Sequence, residues 1–265
     1  MPQIINTNIM SLNSQRYLNK SQGAMSTALE RLSSGLRVNS AMDDAAGLAV
    51  ATKMEAQVRG LTVAMRNVND GISFAQTADK ALEVVTDQLL RMRDLATQAL
   101  NGTISDTERS MINVEFTQLI AEANRMQSVA ELNNQNVYLS AGYTFQVGAN
   151  YEQSITATFD SVSVSDLSVI DAGAAGSALS VIESMLADVS KSRANIGAVQ
   201  SRLAYTGQYL EAARENQTAA KSRIMDADFA AETANLSRAQ ILQQSGVAMV
   251  AQANTLPQNV LSLLR

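Results

Sequence analysis

Apolar positions recur along this chain at alternating spacings of three and four, the pattern of helices that pack lengthwise on one another. The longest such row is Met54, Leu61, Val68, Ala75, Leu82, Leu89 and Ala96, every seven residues, with Val58, Met65, Ile72, Ala78, Val85, Met92 and Ala99 on the alternate row. It predicts one helix of about 50 residues, some 70 Å or more. Gly60 and Gly71 interrupt it, as expected where another helix comes close. A second long helix is predicted from about Ser177 toward Ser222 on Ile182, Val189, Ile196, Leu203 and Leu210.

The two ends of the chain carry weaker versions of the pattern. Leu18, Met25 and Leu32 are seven apart, with Leu29 and Leu36 on the alternate row. At the other end run Leu242, Met249, Leu256 and Leu263, with Gly246, Ala253 and Val260 beside them. Each end predicts a helix of about 35 residues, roughly 50 Å long. Helices of this kind fray alone, and their matching lengths predict that they pair with each other.

Between these elements the pattern breaks. Asn39 or Ser40 is the expected cap of the long helix, with Asp43 and Asp44 in its first turn, where the helix dipole favours negative charge. Ser105-Asp106-Thr107-Glu108 reads as a capping box, opening a helix to about Leu132 with Ile112, Phe116, Leu119, Ala123, Met126 and Ala130 inward. The period then falls to two. Residues 137–139, 144–147 and 154–159 read as short strands, Gly148-Ala149-Asn150 as a turn, and Asp160 to Gly176 as a surface loop. The expected fold is mainly α: an elongated rod of long helices, an antiparallel bundle plus terminal coiled-coil arms, with a small β-hairpin region. The expected division is residues 1–42 and 222–265 as the arms and 43–221 as the bundle, with the hairpin near 137–159.

Composition narrows the function. The chain of 265 residues has no Cys and no His, which removes thiol nucleophiles, imidazole bases and the usual zinc ligands together. Adjacent Asp43 and Asp44 point about 100° apart on a helix and lack an evident third ligand, so neither a metal nor a cofactor is expected. A net charge of −5 offers no basic footprint for nucleic acid. No run of eighteen apolar residues suggests membrane insertion, and the N-terminus lacks the layout of a cleavable signal. Few aromatics, two prolines and marginal terminal helices describe an assembly subunit better than an enzyme.

Longer motifs carry a family resemblance. Ile5-Asn6-Thr7-Asn8, the run from Leu29 through Ala41 and Asp43-Asp44-Ala45-Ala46-Gly47-Leu48-Ala49 resemble bacterial flagellin. So do Ser237 to Gln244, Ala251 to Asn254 and Pro257 to Arg265, while Gln146-Val147-Gly148-Ala149-Asn150 resembles the family's hairpin. The variable outer domains of larger flagellins are here reduced to the loop around Asp160 to Gly176.

The resemblance implies a subunit that polymerises into the flagellar filament for swimming. It would be exported unfolded through the flagellar type III channel, would lie outside the cell, and would meet cap and hook-filament junction proteins. It further implies terminal arms that line the inner tube through Leu18, Met25, Leu29, Leu32, Leu36, Leu242, Gly246, Met249, Ala253, Leu256, Val260 and Leu263. The hairpin residues Gln146, Val147, Gly148, Ala149 and Asn150 would take part in subunit contacts, and an export chaperone would hold the C-terminal arm. Arg91, Leu95 and Glu115 resemble the segment recognised by the host toll-like flagellin receptor. A hook-filament junction protein is the alternative reading, and a chemoreceptor-like signalling module a more distant one.

Overall fold

The computed structural model describes residues 7–138, 142–165 and 167–262, with side chains in the last helix described as far as Thr255. The order of elements is α1 (Ile9–Ser34), α2 (Ala45–Ala99), α3 (Asp106–Ser128), β1 (Glu131–Leu132), β2 (Gln135–Asn136), β3 (Tyr143–Gln146), β4 (Ser154–Ala157), α4 (Ala172–Met225) and α5 (Phe229–Ser262). The chain is mainly α, as its periodicity predicts. It divides into two compact units, one holding the chain up to Ala56 and from Asn216 onward, the other Gln57–Glu215. The sequence division at 42/43 and 221/222 differs because the first turns of α2 and the last turns of α4 contact each other within the arm unit. There Lys221 Nζ lies 2.5 Å from Glu55 Oε2.

In the arm unit, α1 and α5 run antiparallel and in contact. Asn8 caps α1 by accepting from Ser11 N–H, and its side-chain amide donates to Ala253 O at 2.7 Å. Gly35 ends α1 in the left-handed region, with φ of 72°, a conformation that glycine adopts without Cβ strain. The chain then forms an antiparallel bridge from Leu36 to Asp226. Arg37 N–H donates to Met225 O at 2.6 Å, and its guanidinium donates to Ile224 O at 2.8 Å.

The cap of α2 differs from the expected one. Asp44, not Asn39 or Ser40, accepts from the Gly47 N–H at 2.8 Å, and the helix starts at Ala45. Asp43 instead closes the preceding turn, accepting from the Asn39 and Ser40 N–H groups and the Ser40 hydroxyl. Both carboxylates are thus occupied with backbone donors.

In the bundle unit the heptad reading holds. Val68, Ala75, Leu82, Leu89 and Ala96 of α2 are buried, as are Ile182, Val189, Ile196, Leu203 and Leu210 of α4. Phe116, Ile120 and Ala123 of α3 and Phe159 complete the centre of the core. The capping box at Ser105 and Glu108 is present.

Three local expectations are corrected. First, α3 ends at Ser128 and residues 137–138 form no strand; β1 and β2 pair instead around Asn133 and Asn134, both with positive φ. Asparagine tolerates that conformation better than most residues, so the polar run expected to stop the helix turns a hairpin instead, and the helix ends before it at Ser128. Leu139 lies outside the described residues. Second, the expected loop from Asp160 is a strap that buries every apolar side chain pointing inward, Val162, Val164 and Val169 being 7%, 3% and 0% exposed while Ser161, Ser163 and Ser165 between them are exposed. Amide side chains of α3 hold it: Gln127 bonds both Val162 N–H and Val162 O, Asn124 bonds both Val164 N–H and Val164 O, and Asn113 accepts from Val169 N–H. Helix α4 consequently begins at Ala172 rather than Ser177. Third, the close neighbour of Gly60 is the hairpin and not a helix. A Cβ there would stand 2.7 Å from Ala149 Cβ, and one at Gly71 would meet Leu203 of α4 and Phe145 of β3.

Candidate functional site

No enzyme-like centre organises the described residues. They contain no group of three side chains able to hold a metal ion, and no helix is long and apolar enough to cross a membrane. The candidate sites are surfaces: the outer faces of the arms, the β3–β4 hairpin, and the α2–α3 face around Arg91.

The arm seam uses small and polar residues. Ser11, Ser21 and Ala28 are buried on α1, and Glu232, Ala239 and Ala253 on α5. Leu18, Met25, Leu32 and Leu36 are half-buried, as is Gly246. A Cβ at Gly246 would stand 3.2 Å from Leu18 Cδ1, so the glycine lets α5 approach α1 closely. Polar pairs fix the register. Ser11 Oγ donates to Asn254 Oδ1 at 2.7 Å, and Arg31 lies 4.0 Å from Glu232, whose side chain is 12% exposed.

This seam corrects the sequence reading in one respect. Its α5 row is Glu232, Ala239, Gly246 and Ala253, flanked by half-buried Leu236, Gln243 and Val250. Leu242 and Met249 turn outward, 54% and 58% exposed, and so does Leu29. Sevenfold spacing locates rows but does not say which row faces the intramolecular partner; here the smaller residues do, because they permit the closer approach. Leu256, Val260 and Leu263 lie where side chains are not described.

Large apolar side chains therefore remain on the outside. Ile9, Met10, Leu12, Tyr17, Ile241 and Val247 are more than half exposed. Beside them runs a cleft of about 510 Å³ whose walls include Tyr17, Leu242, Gly246 and Met249. An apolar face of this extent marks a protein-interaction surface.

In the hairpin, β3 and β4 pair antiparallel, with Phe145 opposite Ile155. Its inner face is used by the protein's own bundle: Val147 packs against the cluster of Ala64, Val68, Ile155, Leu203 and Leu210, Ala149 sits over Gly60, and Asn67 donates to Gln146 O at 2.9 Å. Gln146 and Asn150 are exposed, and Gln146 Nε2 donates to Gly148 O and Asn150 O, holding the tip closed. Tyr151, which sequence reasoning passed over, is 91% exposed at this tip. Its position in a turn beside Gly148 and Asn150 was the available signal.

Arg91 and Glu115 meet across α2 and α3, with Nη2 to Oε1 at 2.7 Å and both side chains about half exposed. Leu95, one helical turn from Arg91, is 2% exposed and belongs to the bundle core. The exposed apolar side chains of this region are Leu90, Met111 and Val114. The last two break the inward period of α3 and could have been found as apolar residues on a polar face.

Residues 5–142 match the bacterial flagellin N-terminal helical region, and residues 179–264 match the C-terminal helical region. The flagellar filament 33 kDa core protein of Treponema phagedenis is 40% identical over 285 aligned positions, covering 99% of this chain and all of that protein. A flagellin of Halalkalibacterium halodurans is 42% identical, with the same coverage. The crystal structure of Bacillus cereus flagellin shares the fold, with a TM-score of 0.51 and 24% identity over 55% of this chain and 88% of that one. Between the two matched regions lie β3, β4, the strap and the start of α4, with no additional outer domain. The chain belongs to the bacterial flagellin family, and is accordingly a structural subunit of the self-assembling extracellular flagellar filament and not an enzyme.

Proposed function

We propose that the paired arms are the polymerising element and that neighbouring subunits cover their outward apolar rows. Exposed Leu242 and Met249, which border the cleft beside the α1 seam, together with exposed Ile241 and Val247, carry this reading. Residues 1–42 and 222–265 then act as the inner-tube part, through Leu18, Met25, Leu29, Leu32, Leu36, Gly246, Ala253, Leu256, Val260 and Leu263 as well. Residues 43–221 form the outer-tube part. The hairpin, through Gln146 to Asn150, adds subunit contacts. Because its inner face already rests on α2, only the exposed tip and edge are free for them.

The chain travels unfolded through the flagellar type III channel, held at its C-terminal arm by an export chaperone. It then assembles between the hook-filament junction and the cap. The lack of Cys supports this route, since no disulfide closes a loop that would resist threading. Host toll-like receptor recognition centres on the Arg91–Glu115 pair, with Leu95 supporting it from beneath.

The test compares the intact chain with a Leu242→Ser, Met249→Ser double variant and with a truncation of Asn254 to Arg265. The bundle's helical circular dichroism should persist in both while filaments, seen by electron microscopy after seeding, are lost. Filaments of normal length from either protein would sink the assigned role of the arm. If the intact chain binds seeds but does not elongate, the hook-filament junction reading replaces the filament one.

A further inference from the structure

The turn between α2 and α3 holds a chemistry that filament assembly does not use. Asn101-Gly102 is the one Asn-Gly pair in the sequence. Both residues are exposed, and nothing lies within 4 Å of the place where a Gly102 Cβ would stand.

Three donors converge on its two carbonyl groups. The Thr103 N–H donates to Asn101 Oδ1 at 3.3 Å. The Ile104 N–H donates to the Asn101 main-chain oxygen at 3.2 Å, and Arg109 Nη2 donates to that same oxygen at 3.3 Å. Arg109 is fixed for this contact. Its Nε donates to Ala99 O at 2.9 Å, its Nη1 pairs with Asp106 at 2.8 Å, and its side chain is only 12% exposed.

Each donor acts on a reacting group. Hydrogen bonding to Oδ1 makes the side-chain carbon more electrophilic and stabilises the oxyanion that forms on attack. Donation to the main-chain oxygen withdraws charge through the conjugated amide, which acidifies the Gly102 N–H. The missing Cβ leaves that nitrogen unhindered.

We propose that Asn101-Gly102 is a self-modification site at which the folded subunit deamidates. The Gly102 nitrogen gives its proton to water and bonds to Asn101 Cγ. The Cγ–Nδ2 bond breaks, and ammonia leaves after taking up a proton. Water then opens the succinimide at one of its two carbonyls, giving aspartate or isoaspartate. The new carboxylate lies beside Arg109 and just before the N-terminus of α3, where negative charge is favoured. Asp70-Gly71 supplies the internal contrast. It could form the same ring, but it lies inside α2, and Gly71 is packed against Leu203 and Phe145.

The full chain is incubated folded in mildly alkaline buffer, and the tryptic peptides from Asp94 to Arg109 and from Asn67 to Lys80 are followed by mass spectrometry. The expected result is the one-dalton gain of amide replaced by acid, with isoaspartate at 101 and none at 70. A peptide that stays amidated in the folded chain, while the urea-unfolded chain converts, overturns the proposal. Gly102→Ala should slow conversion by about tenfold, as a barrier rise of one decade, with unchanged helical circular dichroism. Arg109→Gln, followed on the longer tryptic peptide that runs to Arg125, should slow it about threefold, and Arg109→Lys, which keeps the charge, should restore it. Equal rates in wild type and Arg109→Gln would remove the activating role of the guanidinium.

Discussion

On α4 the residues facing the bundle are Ile182, Val189, Ile196 and Leu203; on α5 those facing α1 are Glu232, Ala239, Gly246 and Ala253. Both rows repeat every seven residues, and they do different work. Large side chains in the bundle unit bury enough apolar area to hold it together within one chain. The arm unit brings two backbones close through alanine, serine and glycine, buries little per residue, and leaves Ile9, Met10, Leu12, Leu29, Ile241, Leu242 and Met249 exposed. The same spacing thus builds a self-sufficient core in one unit and a half-finished interface in the other. A chain that must both fold alone and join a polymer gains from keeping these tasks apart.

The largest expected effect tests the first half of that contrast. Leu89→Ala, at a position with no exposure in the bundle core, should cost about 2–5 kcal/mol of stability. Leu18→Ala, on the half-buried arm seam, should cost about 1 kcal/mol, in line with the smaller area it covers. Urea denaturation followed by circular dichroism measures both. Equal losses would mean that the arm seam is a core like the other.

A substitution on the strap tests whether hydrogen bonding or apolar burial holds the bundle's edge. Gln127→Ala strips the buried Val162 N–H and Val162 O of their partner. Leaving such groups unpaired should cost about 1–3 kcal/mol. Amide exchange at 162–164 should rise before any change in the arm unit. Exchange that stays as slow as in wild type would show that Val162 and Val164 anchor the strap without the amide.

Gly246→Leu addresses the close approach in the arms. The added side chain meets Leu18, already 3.2 Å from an ideal Cβ, and overpacking of this kind costs about 1–3 kcal/mol. Part of that is offset by replacing a helical glycine, worth about 1 kcal/mol. Amide exchange should quicken across α1 and α5 and stay unchanged across Leu82–Met92. Uniform change in both regions would deny their independence.

These differences also explain what could be read in advance. The bundle rows were legible because burial there selects Leu, Ile and Val at the positions that face inward. The arm seam was only half legible: Gly246 and Ala253 were found, but hydrophobicity drew the reading toward Leu242 and Met249, which face outward. Nothing in a single helix's sequence distinguishes a partner in the same chain from one in another. The strap was misread because Ser, Asp, Ala and Gly dominate it. Its burial depends on Asn113, Asn124 and Gln127, more than thirty residues away in sequence. Leu95 shows the same limit, since its exposure is decided by what packs on its helix and not by its spacing from Arg91.

The smallest expected effect compares one exposed carboxylate from each unit. Backbone hydrogen bonding from Ser40 holds the Asp43 carboxyl below its usual range, and backbone hydrogen bonding from Ser105 does the same for Glu108. Each group is more acidic folded than unfolded, so between the two values the unfolded chain binds more protons. Their contribution is therefore present above the unfolded pKa and is lost as pH falls through the folded one. Asp43→Asn should flatten the acid limb of arm melting, and Glu108→Gln should flatten that of the bundle, each leaving the other unit's limb unchanged. Site-resolved amide exchange across an acid titration reads both limbs at once. If Glu108→Gln instead altered exchange in α1 and α5, the two units would not respond to acid independently.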